Sequence, residues 1–179
     1  VCGGMKDFMK IHIIGCSGSG KTYLANALSK KHNIPHFDLD DIQWDNNAEA
    51  YGTKRPLDKR KALLQEILSN NDWIIEGVYY SWVQQSFDEA DKIYVLDMPR
   101  YLYKSRIIIR SVKRKLGILK GKKETFQSVC SLLKWTESFQ NKDLKEIKRI
   151  LDRYGNKVVW LSSKKDVDEI IKRGCPSDC

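Results

Sequence analysis

Long apolar runs and paired cysteines are both missing from this chain. No segment of its 179 residues approaches the roughly 20 uninterrupted apolar residues that a membrane helix needs, so we expect no membrane span. Its five cysteines are an odd number without paired C-x-x-C spacing, which argues against a disulfide framework and against a zinc site. The start of the chain carries no signal-peptide pattern. We therefore expect a cytoplasmic protein with reduced thiols.

Acidic residues are missing from one stretch. Ten basic residues lie between Arg100 and Lys123, and because the formal net charge is +9, the rest of the chain is close to neutral. Clustered Lys and Arg neutralise phosphates, whether of a bound polyphosphate or of nucleic acid. No helix-turn-helix pattern and no RNA-binding aromatic motif accompanies the cluster. The stretch fits a flap over a polyphosphate as well as it fits a nucleic-acid contact.

Internal repeats and interdomain linkers are also missing, and the length suits one domain over residues 1–179. Apolar runs rich in β-branched residues alternate with longer amphipathic stretches, which favours an α/β fold with a mainly parallel sheet. The predicted strands are 11–14, 35–37, 73–75, 92–96 and 157–161. The predicted helices are 21–31, about 56–68, 101–116, 125–139, 142–154 and 165–172, with Gly155 as a helix stop and a frayed end at 174–179.

One motif stands between the first predicted strand and the first predicted helix. It fits G-x-x-x-x-G-K-[ST] at every fixed position: Gly15, Cys16, Ser17, Gly18, Ser19, Gly20, Lys21 and Thr22. Glycines let successive N–H groups face a phosphate, and the following helix adds its dipole. We expect this loop to bind ATP, with Lys21 on the β- and γ-phosphates and Thr22 on Mg²⁺. Cys16 is either a spectator or a redox-sensitive thiol.

With the loop, several further motifs make the chain resemble the adenylate-kinase-like group of P-loop kinases, most closely a bacterial set labelled DNA topology modulation proteins. They occupy residues 37–41 with Trp44, and residues 51–56, 73–79, 94–100 and 113–117. The resemblance implies a three-layer P-loop NTPase fold with about five parallel strands flanked by helices. It also implies an acceptor-binding segment at about 38–70 and a mobile basic lid at about 100–123.

The resemblance also implies roles for single residues. Glu76 would hold Mg²⁺ through a water and Gly77 would admit the acceptor, although a buried carboxylate can also cap a helix. Arg106 and Arg110, four residues apart on one helical face, would clamp the transferring phosphate, unless they form a solvated basic face. Ser163 would lie where the adenine base passes.

Three acids, Asp38, Asp40 and Asp41, follow the second predicted strand, where open α/β sheets bind ligands. The resemblance to adenylate kinases, in which an acceptor-facing aspartate follows the second strand, makes Asp40 our first choice as the base that orients and deprotonates an acceptor hydroxyl. The alternative is that Asp40 or Asp41 caps a helix. We also expect Asp38 to bind the acceptor.

Aromatic and basic residues complete the predicted acceptor site. Trp44, Tyr79 and Arg55 would contact the substrate, although aromatic residues placed like Trp44, Tyr79, Tyr80 and Trp82 are more often core. Adenylate kinases carry an arginine shortly after the aspartate and another after the strand-three glycine, and neither is found here. AMP is therefore in doubt as the acceptor, although Lys54, Arg55 or Arg60 could supply charge.

The favoured function is a Mg²⁺-ATP-dependent phosphotransferase that acts on a nucleotide or another small molecule. Its partners would be ATP and that acceptor, with no membrane and with the oligomeric state left open. An alternative is an ATP-binding, DNA-associated protein that affects DNA topology through residues 100–123. A third hypothesis is a nucleotide-binding protein without transfer activity.

Overall fold

The computed structural model describes residues 9–45, 52–119 and 125–173. Within these ranges five strands form one parallel sheet in the order β2-β3-β1-β4-β5. The strands are β1 (Lys10–Gly15), β2 (His36–Asp38), β3 (Trp73–Gly77), β4 (Lys92–Leu96) and β5 (Val158–Leu161). All five predicted strands are confirmed, and β1, which carries the phosphate motif at its end, lies at the centre of the sheet.

Helices connect the strands. Those that the structure describes are α1 (Lys21–His32), α2 (Leu39–Gln43), α3 (Leu57–Leu68), α4 (Gln84–Glu89), α5 (Arg100–Lys115), α6 (Phe126–Ser138), α7 (Leu144–Leu151) and α8 (Lys164–Arg173). The short helix α4 was not predicted, and α2 was considered only through the alternative that Asp40 or Asp41 caps a helix. Each has only one or two turns, which is too short for an apolar period to be recognised in the sequence.

One predicted helix, 142–154, is wrong at both ends. A π-helical segment, Phe139–Asp143, joins α6 to α7, and a 3₁₀ segment, Asp152–Lys157, follows α7. Gly155 does not stop the α-helix, because α7 ends at Leu151 and Gly155 lies inside the 3₁₀ segment with φ of 53°.

The sheet buries both faces, which gives a three-layer fold. Ile11 and Ile13 of β1 pack with Leu24 and Leu28 of α1 on one face. Ile14, from the opposite face of the same strand, packs in the second core with residues of α3, α4, α5 and α7. Side chains alternate between the faces of a strand, so β1 supplies both cores and is fixed firmly beneath the phosphate motif.

Some predictions fall outside the described residues. These are the frayed end at 174–179, Tyr51, and the basic residues Lys120, Lys122 and Lys123. No helix in the described ranges combines the length and the apolar content that crossing a bilayer requires.

Candidate active site

The phosphate motif forms a compact turn between β1 and α1. Gly18 and Gly20 have φ of 78° and 107°, in the left-handed region that glycine adopts at little cost. A Cβ at Gly15 would lie 2.9 Å from Ser19 Oγ and 3.0 Å from the Leu96 carbonyl oxygen. Ser19 Oγ is buried without a hydrogen-bond partner among the described residues. The loop therefore has the tight, glycine-dependent shape of a phosphate cradle, with one buried hydroxyl left over.

Lys21, Thr22 and Glu76 meet at the start of α1. Thr22 Oγ1 donates a hydrogen bond of 2.5 Å to Glu76 Oε1, and Lys21 Nζ lies 3.8 Å from Glu76 Oε2. Lys21 Nζ also donates to the Cys16 carbonyl oxygen at 3.2 Å. The parallel register pairs Ile14 with Gly77, so Glu76 on β3 comes to lie beside the loop that follows β1. Glu76 therefore contacts the loop side chains and does not cap a helix.

Glu76 remains charged although it is only 1% exposed. Burial acts to raise the pKa of Glu76, but His36, Lys21 and Thr22 together outweigh burial and hold that pKa below its usual value. His36 Nε2 on β2 lies 3.7 Å from Glu76 Oε1. A buried, ionised carboxylate beside a threonine hydroxyl offers the oxygen ligands that Mg²⁺ prefers.

Cys16 behaves as a structural thiol. Its residue is 2% exposed and belongs to the core packed against β1. Burial raises the pKa of Cys16 to about 11, although the nearby Lys21 acts in the opposite direction. The thiol is therefore protonated at neutral pH, which favours the spectator hypothesis over a redox-sensitive one.

Helix α5 lies directly against the phosphate loop. A Cβ on Gly18 would lie 2.8 Å from the Tyr103 carbonyl oxygen. Arg106 Nη1 donates to the carbonyl oxygens of Gly18, at 3.2 Å, and Ser19, at 2.8 Å. Arg110 Nη2 donates to Ser17 Oγ at 3.3 Å. Both arginines are half-buried and point at the loop, so the alternative of a solvated basic face is wrong for them.

A pocket of about 350 Å³ lies beside the loop, between α1, α5 and α8. Its lining residues are Ser19, Gly20, Tyr23, Met98, Arg106, Lys164 and Val167. The size and the mixed apolar and basic lining suit a nucleotide base and its sugar. Ser163 is adjacent in sequence, but its hydroxyl accepts from the Asp166 N–H at 3.2 Å and so caps α8. Its predicted contact with the base stays a prediction.

The acceptor side is built on β2, α2 and the residues after β3. Asp38 caps α2, because its Oδ1 accepts from the Asp40 N–H at 2.9 Å. The prediction that Asp40 or Asp41 is the cap is therefore wrong, and both lie in the first turn. Tyr79 donates a hydrogen bond of 2.6 Å to Asp40 Oδ1, and the Trp44 side chain hydrogen-bonds Tyr79 in turn. Asp40 is exposed, and one of its two carboxylate oxygens is bonded to Tyr79.

The pKa of Asp38 is raised to about 6, chiefly by burial and further by the charges of Glu76 and Asp40. The backbone hydrogen bond from Asp40 and the charge of Lys21 act in the opposite direction. The register of β2 and β3 places Asp38 directly opposite Glu76. The carboxylates at the ends of these two strands therefore interact, while the predicted contact of Asp38 with the acceptor stays a prediction.

The arginines of the predicted acceptor segment hold its backbone together. Arg55 Nη1 donates to the carbonyl oxygens of Asp41, at 2.5 Å, and Ile42, at 3.1 Å. Arg60 Nη1 donates to Gln43 Oε1 at 2.8 Å, and its guanidinium lies 5.4 Å from the Trp82 ring centre. The predicted substrate contact of Arg55 stays a prediction, since these bonds fix α2.

Gly77 provides space for helix α2. A Cβ at Gly77 would lie 2.8 Å from both Cβ and Cδ1 of the buried Leu39. The space that the missing side chain leaves is filled by Leu39, so Gly77 sets the position of α2, while the predicted contact with the acceptor stays a prediction. Trp82 is 7% exposed and belongs to the core, whereas Trp44, Tyr79 and Tyr80 are half-buried.

Asp97 follows β4 and lines a second pocket of about 260 Å³. Gln140, in the π-helical segment, donates to Asp97 Oδ1 at 3.4 Å and to the Met98 carbonyl oxygen at 3.0 Å. Burial raises the pKa of Asp97. The contacts tie α6 and α7 to the end of β4.

The residues of the loop side fit ATP and Mg²⁺. The buried Ser19 hydroxyl without a partner, the left-handed glycines and the Thr22–Glu76 pair are what a phosphate and a hard cation require. Among the described residues no three His, Cys, Asp or Glu side chains converge to hold a metal by themselves. Mg²⁺ commonly uses one or two protein ligands and completes its shell with water and phosphate.

Comparison with known proteins agrees with this geometry. A family model described as "AAA domain" matches residues 11–127, and the chain belongs to that family. An uncharacterised protein, YqaC of Bacillus subtilis strain 168, is 26% identical over 145 residues, which are 80% of each chain.

Solved structures share the fold. A gluconokinase from Sinorhizobium meliloti 1021 has a TM-score of 0.55 at 16% identity, over 93% of this chain and 89% of that one. Shikimate kinase from Aquifex aeolicus has a TM-score of 0.49 at 16% identity, over 92% of each chain. The likeness to the gluconokinase, together with the family match, gives the chain a P-loop kinase-like fold. Its similarity to the DNA topology modulation set is not confirmed.

Sequence reasoning missed several residues of the site. His36 lies against Glu76, Tyr23 and Met98 line the nucleotide-sized pocket, and Tyr103 packs its backbone on Gly18. His36 could have been found from the sequence, because it lies two residues before Asp38 on β2. Residues two apart on a strand point to the same face of the sheet. The other three come from packing between elements, for which the sequence carries no local signal.

Proposed function

We propose that this protein is a Mg²⁺-ATP-dependent kinase that transfers the γ-phosphoryl group to a hydroxyl of a small molecule. The observation that supports it most is the placement of Asp40 and the Lys21–Thr22–Glu76 cluster at the same edge of the sheet. The carboxyl ends of β1, β2 and β3 lie side by side there. A phosphate cradle after β1 and a candidate base after β2, on the two sides of β3, are what in-line transfer to a hydroxyl needs.

Each residue has a role in this proposal. The loop N–H groups, Lys21 and Arg106 hold the phosphates, and Arg110 adds positive charge from α5. Thr22 and Glu76 hold Mg²⁺, Glu76 through a water. When bound, Mg²⁺ neutralises negative charge on the phosphate oxygens. Lys21 and Arg106 would exchange their carbonyl partners for phosphate oxygens, which form stronger, charge-assisted bonds.

Asp40 acts on the acceptor. The Asp40 oxygen that is not bonded to Tyr79 accepts a hydrogen bond from the acceptor hydroxyl and takes the proton of that hydroxyl as the acceptor oxygen attacks the γ-phosphorus. The bond between the γ-phosphorus and the bridging oxygen breaks, and ADP leaves. Residues 38–70 serve as the acceptor-binding segment, and about 100–123 as the basic lid of a single domain.

The described contacts of the basic stretch favour this proposal over the DNA-associated alternative. Arg106 and Arg110 contact the loop, Arg100 donates to Gln140 and Asn141, and Lys104 lies 3.7 Å from Glu137. Cations engaged with the protein itself are poorly placed to neutralise a nucleic-acid backbone.

The test is ADP release from Mg²⁺-ATP by the full chain against a panel of nucleosides, nucleotides, sugars and other hydroxyl compounds. We expect release that depends on one acceptor class and that Lys21→Ala abolishes. Lys30→Ala, at an exposed position near the end of the same helix, is the matched control and should behave as the parent. ATP binding without acceptor-dependent release would contradict the proposal and favour a binding protein without transfer activity.

A further inference from the structure

Asp40, the proposed base, has a well-fixed backbone but an exposed side chain. Helix α2 has five residues, begins under the Asp38 cap and is held near its other end by Arg55. These contacts hold the main chain and do not restrain the side-chain torsions of Asp40. A general base must present an oxygen to the acceptor hydroxyl at hydrogen-bond distance. The orientation of the Asp40 carboxylate therefore depends on a further contact.

Tyr79 supplies that contact. It lies two residues beyond β3, and its hydroxyl donates the 2.6 Å hydrogen bond to Asp40 Oδ1. Within the described ranges this is the one hydrogen bond that the Asp40 side chain accepts. Because β2 and β3 are paired, the chain that leaves β3 passes beside the chain that leaves β2. The bond thus ties the Asp40 carboxylate to the end of a fully buried strand.

Trp44 fixes the direction of this hydrogen bond. The Trp44 side chain hydrogen-bonds Tyr79, and an indole N–H donates but does not accept. The Tyr79 oxygen therefore accepts from Trp44, and the Tyr79 hydrogen is given to Asp40. Burial raises the pKa of Tyr79, and the bond to Asp40 adds to the rise, so the hydroxyl keeps its proton at neutral pH. Tyr79 is thus a donor to Asp40 and does not compete with it as a base.

The Tyr79 ring is itself held in place. Its centre lies 5.6 Å from the centre of the Trp82 ring, and the two planes make an angle of 42°. Trp82 is 7% exposed and belongs to the core. Trp44, at the end of α2, pairs with Lys54 in an antiparallel bridge. The hydroxyl that holds Asp40 therefore belongs to a ring packed on the core and bonded to the far end of α2.

The neighbouring Tyr80 makes the same kind of bond elsewhere. Its hydroxyl donates to Asp143 Oδ1, also at 2.6 Å. Asp143 ends the π-helical segment and has no part in the proposed transfer. The two tyrosines are adjacent, half-buried and bonded to a carboxylate in the same way. Of the two, Tyr79 is the one that contacts a residue of the proposed reaction.

We infer that Tyr79 is a positioning residue for the phosphoryl transfer. Its hydroxyl holds one oxygen of Asp40, so that the other oxygen is presented to the acceptor hydroxyl. The inference rests on the proposed kinase function and adds a residue to it. It differs from the sequence-based prediction that Tyr79 contacts the substrate, because here Tyr79 acts through Asp40.

Tyr79→Phe tests the inference in the full chain with Mg²⁺-ATP. The acceptor is the compound of the panel above, which includes adenosine, AMP, glucose, gluconate and glycerol, that supports the fastest ADP release. We expect kcat to fall about ten- to hundredfold, the usual effect of losing a hydrogen bond to a charged group. The KM of the acceptor and the Kd of ATP should stay close to the parent values.

Tyr80→Phe is the matched control, since it loses a bond of the same length to Asp143, and its kcat should equal that of the parent. A parental kcat in Tyr79→Phe, or an equal fall in Tyr80→Phe, would overturn the inference and leave the kinase function standing. A rise in the KM of the acceptor with kcat unchanged would show direct contact between Tyr79 and the substrate, and would also overturn it.

A double-mutant cycle separates an effect through Asp40 from general damage. Tyr79→Phe is measured alone and in the Asp40→Asn background, by single-turnover ADP formation. We expect the fall in rate to shrink to less than about twofold in the Asp40→Asn background, because no base is left to position. A fall of the same size in both backgrounds would show that Tyr79 acts independently of Asp40, which would overturn the inference.

Failure of the inference and failure of the kinase function give different results. No ADP release by the parent with any compound of the panel removes the kinase function, and the inference with it. Normal turnover in Asp40→Asn removes the base that Tyr79 would position, and so overturns the inference, but it leaves a phosphotransferase.

Discussion

The donor and acceptor sides of the cleft differ in what their positive side chains contact. On the donor side, Lys21 and Arg106 donate to carbonyl oxygens of the phosphate loop, and those are bonds that a phosphate can replace. On the acceptor side, Arg55 and Arg60 bind groups of α2. The donor-side cations surround the loop that would receive a phosphate, whereas the acceptor-side arginines hold the end of α2 in place.

The same contrast holds for the carboxylates. Glu76 on the donor side is matched by Thr22, Lys21 and His36, so its pKa lies below the usual value. Asp38, on the neighbouring strand, has a raised pKa, mainly because it is buried. Adjacent strands therefore carry one carboxylate stabilised in its charged form and one destabilised, a separation typical of sites that divide metal binding from substrate handling.

Among the substitutions that affect the donor and acceptor sides differently, Arg106→Ala should have the largest effect on kcat/KM. It removes the guanidinium that bonds Gly18 and Ser19 and that would bind a phosphate, so kcat/KM should fall about a hundredfold. Lys104→Ala, on the same helix but directed at Glu137, is the matched control. Steady-state kinetics with varied ATP measure both, and equal losses would show that α5 acts only by packing.

Substitutions at Gly77 and Gly18 should also affect the acceptor side and the donor side differently. Gly77→Ala places a Cβ against Leu39 and should lower the free energy of unfolding by about 1–3 kcal/mol, the usual cost of overpacking. ATP affinity should change little, since Leu39 belongs to α2. Gly18→Ala, at φ of 78° and against Tyr103, should by contrast weaken ATP binding.

Urea unfolding and ATP titration measure the two effects of these glycine changes. Leu39→Ala removes two of the three atoms that the new Cβ would meet, so the cost of Gly77→Ala should be smaller in that background. An unchanged cost would show that the strain lies elsewhere than against Leu39.

The smallest expected effect is on the pH dependence of stability, and it concerns His12 on β1, the strand beneath both sides of the site. Burial lowers the pKa of His12 to about 3 from 6.5, an effect that the charge of Glu76 only partly opposes. The unfolded chain therefore binds more protons between these values. The stability that neutral His12 contributes is present above pH 6.5 and is lost as the pH falls, by up to about 1.4 kcal/mol per pH unit.

Urea unfolding at several values between about pH 7.5 and pH 5 measures the dependence on His12. In His12→Gln the slope should be shallower, because the glutamine does not titrate. Equal slopes in the parent and the variant would show that other groups carry the dependence.

The sequence predicts the donor side well because that side is made of backbone geometry within one short motif. Spacing alone places Gly18, Gly20 and Lys21, and the β-branched runs place all five strands. The end of α7 and the short helices were not predictable in this way. A π-helical segment depends on Gln140 reaching Asp97 and Met98 across the fold, and that contact has no local signal.

The acceptor side depends on side chains from separate elements. Tyr79 meets Asp40 only because β2 and β3 are neighbours, and Arg55 turns to α2 only because Trp44 and Lys54 form a bridge. Composition shows that an arginine is present, but it does not show which oxygen the arginine binds. The identity of the helix cap, Asp38 in place of Asp40 or Asp41, likewise depends on which residue ends β2.

The central claim is that the donor side and the acceptor side act together in one phosphoryl transfer. The most direct test compares the variant Asp40→Asn with Lys21→Ala. For each variant, acceptor-dependent ADP release and the Kd of ATP are measured together, with Asp41→Asn as the neighbouring control. We predict that Asp40→Asn lowers kcat by about 10²–10⁴, the usual contribution of a general base, without changing the Kd of ATP. Lys21→Ala should impair both. Normal turnover in Asp40→Asn, or equal losses in Asp40→Asn and Asp41→Asn, would contradict the account.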